Sequence, residues 1–271
     1  MSDLVDTHCH IQSAGIKTGE PATRELWAKA PDINADDLIK DAVANNVTHM
    51  ICVGCDLEDS RSAVKFATSR KNCWSSIGLH PHEAQNYAGD SKKLKEFEKL
   101  LDNPKVVAIG ECGFDFYYSH SPEAQQTEVL KFQIELALAH NLPLIFHVRE
   151  AFDSFWEVFD QYQGIRGVIH SFTDSEANLS KALERGLHIG VNGIATFTKN
   201  QPQLDVYKKI PLQKLLLETD APFLTPSPYR GSINEPKNVV EIARFLAELR
   251  DENLAELAEN TTNNARQLFG I

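Results

Sequence analysis

The chain has 271 residues and a formal net charge of −11, with 42% hydrophobic and 24% charged residues. This composition supports a sizeable core and excludes a largely disordered chain. The acidic balance would repel a polyanion, so a phosphate-bearing substrate needs local attraction, which bound metal ions can supply. No run reaches the roughly 18 apolar residues of a membrane span, and the N-terminus is acidic where a signal peptide is basic, so we expect a cytoplasmic protein.

Eight apolar segments of strand length recur along the chain, at residues 4–7, 47–53, 74–79, 106–109, 142–146, 167–169, 188–191 and 215–217. Helical patterns lie between them, including residues 36–46, a helix that Asp56 can cap, and a long stretch that begins near Pro122. Apolar strands that alternate with helices are typical of a parallel sheet buried on both faces. The pattern predicts an α/β fold with a single (β/α)8 TIM barrel over residues 1–271, and an open doubly wound sheet is the alternative.

Two longer, turn-rich segments interrupt this repeat, at residues 12–34 and 222–236. Each follows a predicted strand, and such loops of a barrel usually serve the face that carries the active site. The five cysteines are an odd number in mostly apolar runs, so we expect reduced thiols. The spacing of Cys52 and Cys55 is that of a redox motif, but we interpret this pair as structural.

Polar side chains that can bind metal ions stand where five of the predicted strands end: His8, His10, Glu111, His147, His170 and Asp220. Residues i and i+2 of a strand share a face, so His8 and His10 are expected to project together into the barrel. Catalytic groups of barrel enzymes lie at the carboxyl ends of the strands, where these six side chains would converge.

A lone buried histidine is more often a hydrogen-bonded core residue than a ligand, but six unpaired polar groups in one core would be very costly. Six ligands exceed the three or four that one catalytic metal needs, so we predict two divalent ions, with Mg, Mn or Zn as candidates. Imidazole-rich ligation favours Zn, Mn, Fe or Ni over Mg. We expect one ion at His8, His10, Glu111 and Asp220, the other at Glu111, His147 and His170, and Glu111 as the bridge.

Substrate contacts are predicted for His80, Arg149 and Arg230. A guanidinium suits bidentate contact with phosphate, although ion pairs with Glu150 or Glu235 are an equally open alternative for the two arginines. Three further polar residues are candidates for a substrate contact or for orienting a ligand: His82, Asp115 and Glu218.

Taken in chain order, these motifs resemble the TatD family of metal-dependent deoxyribonucleases. The resemblance rests on the segments VDTHCH (5–10), IGECGFDF (109–116), HVREA (147–151), HSF (170–172), ETDAP (218–222), RG (230–231) and NEP (234–236). It implies a metallo-dependent hydrolase barrel, exonuclease action on DNA ends or single strands, and a role in DNA turnover or repair. The family's ligand positions match the six residues named above, and segment 12–34 looks longer than the family's usual link, which bears on substrate choice.

The leading hypothesis is hydrolysis of a phosphodiester by a metal-bound hydroxide, with Asp220 as base and Arg230 and the ions stabilising the developing charge. Related amidohydrolases act on cyclic amides, lactones or small phosphoesters, and many bridge their metals with a carboxylated lysine where this chain has Glu111. A barrel without enzymatic activity is the third hypothesis, and the complete ligand set argues against it. The expected partner is DNA or another phosphodiester, with no membrane and no obligate protein partner indicated.

Overall fold

The computed structural model describes residues 3–15 and 21–271. Its strands are β1 (Leu4–Cys9), β2 (Val47–Val53), β3 (Cys73–Ile77), β4 (Val106–Asp115), β5 (Leu144–Arg149), β6 (Gly167–Ile169), β7 (His188–Val191) and β8 (Leu215–Leu217). They form one parallel sheet in sequence order, and a bridge between Cys9 and Ala221 links β1 to the chain just after β8. The predicted barrel is therefore confirmed and the open sheet is excluded.

The α-helices of the described residues are α1 (Pro21–Trp27), α2 (Ala35–Ala44), α3 (Leu57–Thr68), α4 (Ser91–Glu98), α5 (Glu123–Ala139), α6 (Phe152–Phe159), α7 (Glu176–Glu184), α8 (Ile194–Phe197), α9 (Gln201–Lys209), α10 (Val239–Arg250) and α11 (Leu254–Phe269). Several begin at a side chain that accepts a backbone N–H of the first turn, as Asp56 does at α3 and Asn253 at α11. Within the described part of the chain, no helix is both long and apolar enough to cross a membrane.

Buried apolar side chains form two clusters, one on each face of the sheet. In β2 the side chains alternate, since Ile51 and Val53 belong to the smaller cluster and Met50 and Cys52 to the larger one. The smaller cluster also takes in Phe269 at the end of α11. We infer that it fills the barrel interior, with α11 closing the end from which the strands start.

Strands β4 and β5 are longer than the sequence predicted, so Glu111 and His147 lie within strands rather than after them. The apolar pattern stops at these residues, but the backbone pairing continues through Gly113 opposite His147. Gly113 has φ +145°, and a Cβ there would lie 2.0 Å from the His147 carbonyl oxygen. Glycine therefore lets the two strands stay close while their side chains become polar.

The described residues of segment 12–34 pack beside the carboxyl end of β1. The Trp27 indole donates a hydrogen bond to the His10 carbonyl oxygen at 3.1 Å, and Trp27 is buried. Ala22 and Thr23 of α1 line the cavity at this end of the barrel. Residues 16–20 of the segment lie outside the described residues.

Candidate metal centre

His8 and His10 meet the two predicted catalytic carboxylates at the carboxyl end of the barrel. His8 Nε2 lies 3.4 Å from Glu111 Oε2 and 3.6 Å from Asp220 Oδ1. His10 Nε2 lies 3.3 Å from His8 Nε2 and 3.4 Å from Asp220 Oδ1. Three strand ends thus bring two imidazoles and two carboxylates to one point, as the i, i+2 spacing predicts.

His147 in β5 and His170, the residue after β6, complete the cluster on its other side. His147 Nδ1 lies 2.7 Å from Glu111 Oε1, and His170 Nε2 lies 3.9 Å from the same oxygen. The His170 ring stacks on His8 with 3.6 Å between ring centroids. His80, predicted as a substrate contact, also faces Glu111, with 3.6 Å from its Nε2 to Oε1.

Potential ligand atoms fall into overlapping groups in which all atoms lie within 4.8 Å of one another: His8, His10 and Glu111; His8, His170 and Asp220; and His80, Glu111 and His147. All six predicted ligands occur in these groups. We expected His170 and His147 to bind the same ion. In the groups, His170 lies with Asp220, and His80 lies with His147. How two ions would divide the ligands stays a prediction.

Neighbouring groups fix the direction in which the rings point. His10 Nδ1 lies 3.0 Å from the Val53 carbonyl oxygen and donates to it, which turns Nε2 toward the carboxylates. His170 Nδ1 lies 2.8 Å from Glu218 Oε1, and the backbone N–H of Ser171 donates to that oxygen at 2.6 Å. Glu218 therefore makes the contact that its predicted orienting role requires.

Asp115 holds a second pair of rings. Its Oδ2 lies 3.0 Å from Nε2 of both His82 and His147, and its Oδ1 accepts the backbone N–H of Tyr118 at 2.9 Å. His147 thus contacts a carboxylate at each ring nitrogen. Asp115 joins this ligand to the turn that follows β4.

The pKa values of both predicted catalytic carboxyl groups, Glu111 and Asp220, lie below the ordinary range. Burial acts to raise the pKa of Glu111, but the nearby imidazoles, which include His80 and the hydrogen-bonding His147, hold it well below the ordinary value. Burial likewise opposes ionisation of Asp220, and its hydrogen bond with His10 lowers the pKa below the ordinary value. Anionic oxygens suit ligands of a divalent cation and, for Asp220, a proton acceptor.

Two of the imidazoles take up protons because they face these carboxylates. Burial lowers the pKa of His10, but hydrogen bonding to Asp220 raises it to about 9 overall. For His147, hydrogen bonds to Asp115 and Glu111 outweigh burial and raise the pKa to about 9. A divalent cation fits this place, because metal binding to imidazole displaces such protons and the donor set is nitrogen and carboxylate oxygen.

Of the six predicted ligands, all but His8 line a cavity of about 640 Å³. Such a volume is in the range of sites for small molecules or a nucleotide. Among its other lining residues are Ile194, Phe223 and Leu224, which give it an apolar wall. A substrate phosphate could reach the carboxylates while its organic part contacts this wall.

Of the two predicted arginines, Arg149 lines this cavity and Arg230 is not among its lining residues. The Arg230 guanidinium lies 3.7 Å from the centroid of the Phe197 ring and donates to the Thr225 carbonyl oxygen at 2.7 Å. Neither arginine forms an ion pair with a described residue, so the alternative of pairing with Glu150 or Glu235 is not realised. A phosphate contact by Arg230 stays a prediction.

Sequence reasoning missed a buried group behind His10. Cys55 and Asp59 lie with His10 within the 4.8 Å limit, and Cys55 Sγ is 4.0 Å from Glu111 Oε2. The Gln12 amide donates to the Val53 carbonyl oxygen at 2.8 Å. All five cysteines are free, as expected, but Cys55 also lines the cavity, which the structural interpretation of the Cys52–Cys55 pair did not foresee. No periodic pattern marks these residues, because they are brought to His10 only when β1 and β2 pair.

Residues 5–270 match the model of a family described as TatD related DNase. An uncharacterized metal-dependent hydrolase of Bacillus subtilis, YabD, is 33% identical over 270 residues, which is 99% of each chain. The 3'-5' ssDNA/RNA exonuclease TatD of Erwinia amylovora is 35% identical over 244 residues, covering 87% of this chain and 93% of that protein. The crystal structure of YJJV, a TatD homologue of Escherichia coli, has a TM-score of 0.85 and 27% identity and covers 99% of this chain and 98% of its own.

Proposed function

Because the chain belongs to the family of TatD-related DNases and is a metal-dependent hydrolase acting on ester bonds, we propose that it hydrolyses the phosphodiester bonds of DNA as an exonuclease. Two divalent cations, drawn from Mg, Mn and Zn, serve the reaction. Relatives named 3'-5' ssDNA/RNA exonuclease support this choice of substrate and make single-stranded RNA a further candidate.

The observation that carries the proposal is the position of the Glu111 carboxylate between two sets of nitrogen ligands. Its Oε2 faces His8 at 3.4 Å, and its Oε1 faces His147 at 2.7 Å. One carboxylate with an oxygen directed to each side is the arrangement that a bridge between two cations requires. When bound, such cations supply Lewis acidity that lowers the pKa of water and neutralises phosphate charge.

The other residues divide the remaining tasks. Asp220 lies in the cavity wall with an ionised carboxylate and accepts the proton of the attacking water. Glu218 and Asp115 hold the imidazoles in place, which preserves the geometry of the ligands. Arg149, His80 and Arg230 are the proposed phosphate contacts, and of these Arg149 and His80 line the cavity.

The test is hydrolysis of end-labelled single-stranded DNA and RNA by the purified protein with added Mn, Mg or Zn. We expect metal-dependent loss of terminal nucleotides, and a decrease of at least about 100-fold in kcat in Glu111→Ala, because the bridge is lost. Glu157→Ala, an exposed glutamate of α6, is the matched control and should keep full activity. Absence of cleavage with every metal would move the assignment to a small-molecule hydrolase.

Three expectations from the sequence accompany this proposal. We propose that residues 1–271 form one domain, since α11 packs against β1 and β8 and thereby ties the end of the chain to its start. A cytoplasmic location and a role in DNA repair stay predictions. Detection of the protein in cell fractions, and survival of a deletion strain after DNA damage, would test them.

A further inference from the structure

Aromatic side chains to which the proposed hydrolysis gives no role surround Arg149 on one side of the cavity. The group consists of Tyr117, Tyr118, His120 and Arg149, and we call it the aromatic ledge. Tyr118, His120 and Arg149 line the same cavity as Glu111. The ledge is therefore open to whatever substrate reaches the metal ligands.

The ledge exposes large aromatic rings beside a reactive centre. Tyr117 is 54% exposed and Tyr118 is 52% exposed. The rings of Tyr118 and His120 are nearly parallel, with an interplanar angle of 13° and 5.7 Å between centroids. Exposed, nearly parallel rings that line the cavity are suited to stacking against a flat ligand.

Arg149 supplies positive charge at the same place. Its guanidinium carbon lies 4.1 Å from the centroid of the Tyr117 ring and 4.9 Å from that of Tyr118. Within residues 3–15 and 21–271, no side chain or backbone group accepts a hydrogen bond from this guanidinium or pairs with it. Stacking on the rings leaves its N–H edge free, which suits a phosphate contact in a protein whose net charge is −11.

The backbone holds the ledge at a fixed distance from the metal ligands. Arg149 pairs with Asp115 across β4 and β5, and the N–H of Phe116 donates to the Arg149 carbonyl oxygen at 3.0 Å. Asp115 in turn accepts the N–H of Tyr118 and contacts His147. One carboxylate thus connects the tyrosine turn to a ligand of the proposed metal site.

We propose that the aromatic ledge binds the nucleotide next to the scissile phosphate, with its base stacked on Tyr118 and its own phosphate contacted by Arg149. This inference rests on the proposed function and names the side chain that contacts the base. Every base has a flat face, so stacking on Tyr118 does not depend on which base is present.

The test is a double-mutant cycle between Tyr118 and one base of the substrate. It compares a single-stranded DNA oligonucleotide with the same strand lacking the base beside the terminal linkage. For the metal-loaded wild type we expect the abasic strand to have a KM roughly ten-fold higher, in line with the contribution of one stacked base. Tyr118→Ala should raise the KM of the intact strand by the same factor, leave that of the abasic strand unchanged, and alter kcat less than two-fold.

Two further variants separate stacking from general damage. Tyr118→Phe keeps the ring and should retain the wild-type KM. Tyr229→Ala removes another exposed tyrosine, 48% exposed and outside the residues that line the cavity, and should affect neither strand. Equal KM increases for the intact and abasic strands in Tyr118→Ala would overturn the proposal, because the base would then make no contact with the ring.

Binding of a fluorescent, phosphorothioate-linked single strand to the metal-loaded protein gives a readout that needs no turnover. Weaker binding of the abasic strand by the wild type, with no difference in Tyr118→Ala, supports the ledge even if DNA is not cleaved. Cleavage without any effect of the missing base overturns the ledge and leaves the proposed function standing. Absence of both binding and cleavage overturns both.

Discussion

At the scale of single residues, the candidate metal centre depends on acidic side chains that contact the histidines from behind. Glu218 is buried, and its carboxylate lies against Nδ1 of His170 and the N–H of Ser171. Gly190 leaves room for it, because a Cβ at that position would lie 2.5 Å from Glu218 Oε2. The orientation of His170 is thus set by a residue from a different strand end.

A substitution of Glu218 should therefore weaken metal binding more than it lowers the rate of the hydrolytic step. Although burial favours the neutral ring, the charge of Glu218 raises the pKa of His170 to about 10. We expect Glu218→Gln to lower metal affinity by about 10- to 100-fold, with a smaller change of kcat at saturating metal. Calorimetric titration with Mn²⁺ or Zn²⁺ measures this. Glu157→Gln on the exposed face of α6 is the control, and an unchanged dissociation constant in Glu218→Gln would refute the orienting role.

At the scale of elements, the pairing of β4 with β5 positions Glu111 relative to His147. The two strands approach so closely that Gly110 and Gly113 each face backbone atoms of β5, with a virtual Cβ of Gly110 at 2.4 Å from the Ile145 carbonyl oxygen. Any side chain at either position must push the strands apart. The separation of Glu111 and His147 would change with it.

Gly113→Ala tests the importance of this close approach between β4 and β5. The added methyl group meets the His147 carbonyl oxygen at a φ of +145°, so we expect a loss of about 3 kcal/mol or more in the free energy of unfolding together with weaker metal binding. Gly89→Ala is the matched control, since Gly89 also has positive φ, +74°, but no atom within 4 Å of its virtual Cβ. That control should lose only about 1 kcal/mol and no metal affinity. Urea unfolding and metal titration of both variants distinguish the two effects, and equal losses would contradict a role for the close approach.

At the scale of the whole molecule, the closed barrel buries polar groups far from the candidate site. His188 begins β7 and shares a strand face with Gly190, and its Nδ1 is buried. Burial and the charge of Lys214 lower the pKa of His188 to about 4. The folded protein therefore holds this ring neutral at pH values where an unfolded chain protonates it.

The sign of the resulting pH dependence follows from linkage. Above the unfolded pKa of about 6.5 neither state binds the proton, and as the pH falls from there to about 4 only the unfolded state gains it. Stability should fall by at most about 3 kcal/mol over this window, since solvent reaches part of the ring. Urea unfolding between pH 4 and 7 should show a shallower decline in His188→Gln than in the wild type. His140→Gln, an exposed histidine after α5, should keep the wild-type slope, and identical slopes in all three proteins would contradict the assignment.

The sequence by itself determined the barrel and the identity of the six candidate ligands. Apolar segments of strand length can be recognised in the sequence, because a parallel sheet that is buried on both faces requires them. Eight such segments that alternate with helices are compatible with few folds other than the barrel. The candidate ligands can be recognised because each is a polar residue at the end of an apolar segment. The predicted ends of β4 and β5 were less accurate, since the backbone pairing of these strands continues beyond the last apolar side chain.

Only the tertiary structure decided which groups surround these ligands. Asp59 and Cys55 reach His10, and His80 reaches Glu111, through pairing between strands that carry no common pattern in the sequence. The free guanidinium of Arg149 and its stacking on two tyrosines likewise arise where β4 and β5 end side by side. The hydrophobic periodicity of a segment shows which of its faces packs against the core. Contacts between segments depend on the register of the strands and on closure of the barrel, which no single segment encodes.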